Sequence, residues 1–357
     1  MSDGRETVVF GPFIGEFGWE LLYWHGAVRA LCNNEFRNHL RIAVSLPGRQ
    51  RFYPDVDQFI EIKAESLPAS YSARGYIADG WRDGLPGESL QRNAYHPLNL
   101  YSSLRHRRLG RASYIRRWDG ESIEPYVTRL IEGLRRQFPS TTRFITPFQV
   151  NEFGDLHFGH DVSVSALDLA KTAVRPLFDK QDLRRLSSST SAQNFVKQVI
   201  SSEKKLVAVF PRSRPFRRRD KNWSRQNYLD LGLLLQAKGF DVAFLGAPGG
   251  AYFANEDLSP FLDFINIPND QRLDIHLAVL ERSALAVGAM SGSLLVALAA
   301  GCPSIIFGDQ RQQLRYYEEN YLRTPLIYIC DMDPALTELD PVISAMENWI
   351  LDSTTTR

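Results

Sequence analysis

Apolar residues come in short uninterrupted runs separated by segments of helical periodicity, and the pattern is clearest in the second half of the chain. LVAVF (206–210) has strand length, and RQNYLDLGLLLQAKG (225–239) repeats apolar residues at helical spacing up to a stop at Gly239. DVAFLG (241–246) is the next strand and ends on glycine. FLDFINI, the helix DIHLAVLERSA, the strand LAVGA, the turn MSGS, the helix LLVALAAG and the strand PSIIFG come next in order. LIYIC and a last helix, PALTELDPVISAMENWIL, close the chain. Strands alternating with helices predict a parallel sheet covered on both faces.

The first half opens in the same way. TVVFGPF (7–13) is a strand, IGEFG a glycine turn, and WELLYWHGAVRALC an apolar helix. RIAVSL (41–46) is a second strand and VDQFIEIKA contains a third. Residues 66–120 are poor in aliphatics and rich in Tyr, Arg, Gly and Ser, which predicts an elaborated insertion rather than a simple connection. A helix over 122–138 and a strand over 143–150 come after it, and SSSTS (187–191) reads as a linker.

At 357 residues the chain exceeds one ordinary core, so two domains are expected. The expected division is 1–186 for the first domain, 187–335 for the second, and 336–357 for a terminal helix packing back on the first. Apolar residues make up 44% and charged residues 23%, the balance of a soluble globular protein. The net charge of +1 excludes a global field for nucleic acid, so any electrostatic attraction must be local. Cys32, Cys302 and Cys330 are far apart in sequence, with neither metal-ligand spacing nor a disulfide framework. No apolar signal region opens the sequence and no apolar run approaches ~18 residues. A cytoplasmic protein is expected, with peripheral contact at the inner membrane left open.

The candidate chemistry lies in two loops. Between LVAVF and its helix stand Arg212, Arg214, Arg217, Arg218, Arg219 and Lys221. In an open α/β sheet such a loop lies at the carboxyl edge, where ligands bind, and this density of cations predicts a phosphate or diphosphate ligand. Arg217 and Arg219 are the members expected to point outward. The second loop is Ser291-Gly292-Ser293 at a helix start, where free N–H groups and the helix dipole favour an anion. The competing reading of this turn is an ordinary N-cap. Trp223 is expected to be a packing residue.

Several other features carry little. Asp331-Met332-Asp333 reads as a turn and helix cap rather than a D-x-D metal site. His157 and His160 lack a third ligand, and His25, beside Gly26 in the first helix, reads as a packed or solvated histidine ahead of a site residue. No P-loop and no complete G-x-G-x-x-G occurs. The basic, aromatic segment 102–120 reads either as a surface for an anionic acceptor or headgroup, or as a solvated Arg-rich helix.

The second half resembles the heptosyltransferase family of bacterial sugar transferases. The resemblance rests on Lys221-Asn222-Trp223 before a helix, on Leu245-Gly246-Ala247-Pro248-Gly249 after the next strand, and on DIHLAVLERSALAVG before Ser291-Gly292-Ser293. LLVALAAG and Cys302-Pro303 complete it, over roughly residues 195–310. RRRDK and the S-x-S turn are also similar to fucosyltransferases that use a guanosine diphosphate sugar. Where heptosyltransferases usually carry an aspartate before the turn, this chain has Met290, so the sugar is not carried over.

The resemblance implies an α/β protein of two Rossmann-like domains facing across a cleft, the GT-B architecture. It further implies an inverting, metal-independent glycosyltransferase of glycan or glycoconjugate biosynthesis, moving a sugar from a nucleotide-diphosphate donor to a hydroxyl acceptor. The acceptor would be a glycan, a lipid-linked or another hydroxyl compound, anionic ones included, with no nucleic-acid partner and no cofactor. Arg212, Arg214, Arg218, Lys221, Gly246, Ser291, Gly292 and Ser293 would bind the donor, and Glu16 or Glu20 would be the general base. A nucleotide-sugar epimerase on the same fold and a non-catalytic sugar-nucleotide- or glycan-binding protein are the alternatives.

Overall fold

The computed structural model describes residues 5–13, 17–62, 130, 132–145, 148–150, 156–158, 181–213, 221–330 and 338–355. The chain divides into two compact units, Met1–Leu183 and Arg184–Arg357. The segment 66–120, the Asp331-Met332-Asp333 run and His160 lie outside the described residues. Among the described residues no helix is long and apolar enough to cross a membrane.

The first unit contains a parallel sheet ordered β3-β2-β1-β4, with β1 Thr7–Phe13, β2 Leu40–Ser45, β3 Gln58–Glu61 and β4 Arg143–Ile145. Strand β1 is the inner strand that chain order reaches first, and it pairs through Val9 with both Ile42 and Phe144. The predicted strand over 143–150 is divided: Phe148–Val150 (β5) pairs antiparallel with Leu156–Phe158 (β6) in a separate two-stranded sheet. Val8, Val9, Phe10, Ile42, Ala43 and Val44 are buried, as strands covered on both faces require. Gly11 sits at φ +114°, and a Cβ there would lie 2.3 Å from the Val44 carbonyl oxygen, so only glycine fits the irregular pairing between Phe10 and Phe13. The first helix is composite. An α-turn, Phe17–Trp19, passes through a π-helical stretch, Glu20–Trp24, into α1, His25–Asn33.

The second unit shows the predicted alternation. Its six strands are β7 Leu206–Phe210, β8 Asp241–Leu245, β9 Leu262–Phe264, β10 Ser283–Ala289, β11 Ser304–Gly308 and β12 Leu326–Cys330, and every pairing is parallel. The spatial order is β12-β11-β10-β7-β8-β9. The helices are α2 Thr190–Val199, α3 Arg225–Ala237, α4 Asn269–Arg282, α5 Gly292–Ala299, α6 Gln310–Glu318 and α7 Leu339–Thr355. Gly239, at φ +87°, comes just after the end of α3 as expected of a helix stop.

Two expectations change. The serine run 187–191 is a tied helix start rather than a free linker. Ser189 caps α2 by accepting from the Ala192 N–H (3.1 Å) and donates to Asp274 (2.6 Å), while Ser188 donates to Glu281 (2.5 Å). The last helix, expected on the first domain, places Val342 and Met346 in the core of the second unit with Trp223, Tyr228 and Phe307. One helical turn apart, the two side chains share the face that α7 buries, and Lys238 on the α3 side bonds Glu347 at 2.7 Å. Met346→Ala is therefore expected to cost about 2–5 kcal/mol of stability, read by denaturant unfolding. A cost below about 0.5 kcal/mol, the range of surface substitutions, would contradict this docking.

Candidate functional site

Strand order decides where the second unit presents its loops. From β7 the chain moves through β8 to β9 on one side, then returns to β10 on the other side of β7 and continues outward to β11 and β12. The boundary between β7 and β10 is thus a topological switch point, and the connections leaving the two carboxyl ends diverge there to open a crevice. Phe210 pairs with Gly288, so Arg212 and Ser291 each lie two or three residues beyond paired positions. Gly288 suits this closeness, because a Cβ would crowd the Phe210 Cβ and carbonyl oxygen at 3.0 Å. The two loops singled out in the sequence are neighbours here.

The β7 loop leaves along a fixed path. Arg212 forms an antiparallel bridge with Ala251, Ser213 N donates to Gly250 O (2.9 Å), and Tyr252 N donates to Pro211 O (2.7 Å). Gly246, also a donor-binding candidate, packs closely: an added Cβ would meet the Ala251 Cβ at 2.6 Å. Arg212 and Lys221 are both buried, so these two cations do not form a solvated face. Lys221 Nζ lies 3.5 Å from the Met290 thioether sulfur, and Tyr328 reaches the same sulfur at 3.7 Å while donating to the Asp309 carbonyl (3.0 Å). Burial pushes the Tyr328 hydroxyl well above the usual tyrosine range. Tyr328 was missed in the sequence because LIYIC reads only as a strand. Arg214, Arg217, Arg218 and Arg219 lie outside the described residues.

The Ser291 turn is not an ordinary cap. Ser291 is extended (φ −157°, ψ 164°) and its side chain makes no capping hydrogen bond, so the first N–H groups of α5 have no side-chain partner from it. Its Oγ is buried with no partner among the described residues, while its carbonyl accepts from Tyr316 (3.0 Å). Gly292 is exposed beside it. A helix N-terminus of this kind, with a buried hydroxyl and no side-chain cap from Ser291, is a type of place where anions bind in proteins.

In the first unit, β1 has β2 and then β3 on one side and β4 on the other, so the loop after β1 also leaves from a switch point. Glu16 belongs to that loop and lies outside the described residues. Glu20 is fully buried. Its Oε1 accepts from Ser45 and Tyr53 and its Oε2 from Arg49, each at 2.5 Å. Burial pushes the Glu20 carboxyl above the usual carboxylate range, opposed by the Arg49 guanidinium and the donors around it. Both oxygens are occupied, and Glu20 is the anchor of an internal ion pair rather than a carboxylate open to substrate. The partners Ser45, Arg49 and Tyr53 lie 25 or more positions away, and no local signal in the sequence points to them. The Glu20 carbonyl also accepts from His25 Nδ1 at 3.0 Å. Among the described residues no group of three or more His, Cys, Asp or Glu is placed to hold a metal ion.

No protein-family model and no curated protein matches the chain. Solved structures do. A glycosyl transferase family 9 protein from Veillonella parvula matches with a TM-score of 0.54 at 12% identity, over 99% of each chain. The Escherichia coli ADP-heptose LPS heptosyltransferase II matches with a TM-score of 0.53 at 14% identity, over 98% of this chain and 99% of that one. The fold is shared with heptosyltransferases. The E. coli heptosyltransferase WaaC with ADP gives a TM-score of 0.50 at 13% identity, over 96% of this chain and all of that one. Each unit is accordingly a Rossmann-like α/β domain of the pair found in GT-B glycosyltransferases.

The Glu20 network yields a direct stability test. Glu20→Ala strands a buried guanidinium and is expected to cost about 3–5 kcal/mol in denaturant unfolding. A loss under about 1 kcal/mol would mean that Arg49 finds water once the carboxylate is gone, and that the network is not closed.

Proposed function

We propose that the protein is a glycosyltransferase that moves a sugar from a nucleotide-diphosphate donor to a hydroxyl acceptor. The observation that carries this reading is the uncapped Ser291–Gly292 turn beyond β10, on the strand that pairs with β7 ahead of the buried Arg212, at the β7–β10 switch point. As the acceptor oxygen bonds to the anomeric carbon, the bond from that carbon to the diphosphate breaks and negative charge grows on the departing phosphate. Arg212 and Lys221 supply positive charge, the α5 amides supply aligned dipoles, and Ser291 Oγ–H supplies one further donor. These groups stabilise the leaving diphosphate without calling on a metal ion. In-line attack inverts the anomeric centre.

The acceptor hydroxyl gives its proton to a carboxylate. Of the two glutamates near the β1 loop, Glu16 is the base in this reading, because both oxygens of Glu20 are already engaged. Met290 stands against Lys221 and Tyr328, so in this reading this part of the site presents a thioether and a tyrosine to the donor.

WaaC was solved with ADP, which makes ADP the first nucleotide to test, beside GDP and UDP. Arg212→Ala and Lys221→Ala are each expected to weaken the best-binding nucleoside diphosphate by roughly ten- to a hundredfold, the worth of one charged hydrogen bond. Calorimetric titration of folded variants reads this. Unchanged affinity in both variants would remove the diphosphate role, and turnover of donor without any acceptor would indicate a different reaction on the same site.

A further inference from the structure

Two tyrosines hold the uncapped turn at the start of α5 from one side. Tyr316, on α6, is buried, and its hydroxyl donates to the Ser291 carbonyl at 3.0 Å. Its ring packs on that of Tyr328 in β12, with 5.7 Å between centroids. Tyr328 donates to the Asp309 carbonyl (3.0 Å), at the residue that joins β11 to α6, so α6 starts from a fixed point. The chain is also fixed on entry to the turn, where Met290 N donates to Phe307 O (3.0 Å).

The Ser291–Gly292 peptide is planar and trans, so its C=O and its N–H point in opposite directions. A group that fixes the Ser291 carbonyl therefore fixes the Gly292 N–H as well, and this is the first orphan amide of α5. The carbonyl of a residue in this position accepts the first bond of its helix and keeps a second lone pair, which Tyr316 uses. Gly292 has no side chain to pack and Ser291 makes no capping bond, so neither orients this peptide by its own side chain. A hydroxyl 25 positions away does. An O–H donated to a carbonyl also polarises the amide, which makes its N–H the better donor.

We propose that Tyr316 is a positioning residue for the leaving diphosphate: by holding the Ser291 carbonyl, its hydroxyl aims the Gly292 N–H at a phosphate oxygen. The inference rests on the donor reading and adds to it a residue outside both loops.

Tyr316→Phe keeps the ring and its packing on Tyr328 and removes only the hydroxyl. Calorimetric titration of the full chain compares ADP, GDP and UDP with the matching nucleosides. The nucleoside diphosphate that binds the native chain best is expected to bind Tyr316→Phe about three- to tenfold more weakly, the worth of one neutral hydrogen bond. Its nucleoside should bind both proteins equally. An unchanged diphosphate affinity overturns the positioning role and leaves the donor reading standing. Equal losses for nucleoside and diphosphate mean a general packing role and overturn it too. A native chain that binds none of the three diphosphates overturns the donor reading, and this inference with it. If Tyr316→Phe does not fold, fluorotyrosine at position 316, a stronger donor of nearly the same shape, decides. Tighter diphosphate binding then supports the role, and unchanged or weaker binding overturns it.

Discussion

Strand β7 has its two sheet neighbours on opposite sides because the chain leaves it toward β8 and comes back to β10. Parallel pairing then forces the carboxyl ends of β7 and β10 to lie side by side, and the connecting helices must depart to opposite faces. That constraint alone places the residues just beyond each strand. Arg212 and Ser291, almost 80 positions apart in sequence, become neighbours, and Gly288 suits the close approach of the strands. The first unit repeats the device with β1 between β2 and β4. Two Rossmann-like units built on one rule thus offer two loops at equivalent places.

The polar groups around these loops fall into two kinds. Glu20, Ser45, Arg49 and Tyr53 form a network in which both carboxylate oxygens are engaged and the ion pair is shielded from water. Such a network ties the π-helical stretch to β2 and the turn after it, and removing one member leaves the others stranded. Ser291 Oγ, Arg49 Nη2 and His25 Nε2 are the other kind: buried, well positioned, and without partners among the described residues. Buried polar atoms are nearly always satisfied, so at each of these a water or a bound group has a partner to supply. The donor reading uses Ser291 Oγ in this way.

Much of the fold was legible because it is written locally. Apolar runs of strand length, helical periodicity and glycine stops placed nearly every element of the second unit, and the cation loop and Ser291 turn were found by their place after strands. Trp223 was read as packing, and it stacks against Tyr228 and Phe307 in the core. The misses are long-range. Glu20 looked like a cleft carboxylate because its helix position is visible in the sequence and its three distant partners are not. The serine run at 187–191 looked like a linker until Asp274 and Glu281 were brought to it. The last helix was assigned to the wrong unit because amphipathic spacing shows that a face is buried and not what it is buried against.

The central claim is that the β7–β10 switch point holds a diphosphate on the α5 N-terminus and the Arg212 loop. Residue-resolved amide hydrogen exchange, with and without whichever of ADP, GDP or UDP binds, tests it directly. Slowed exchange is predicted at Gly292, Ser293 and Leu294 and at the Arg212–Ser213 segment, because the bound phosphate oxygens accept from these amides or cover them. Saturating nucleotide that leaves both segments unchanged and protects other places, or binding of none of the three, would contradict it.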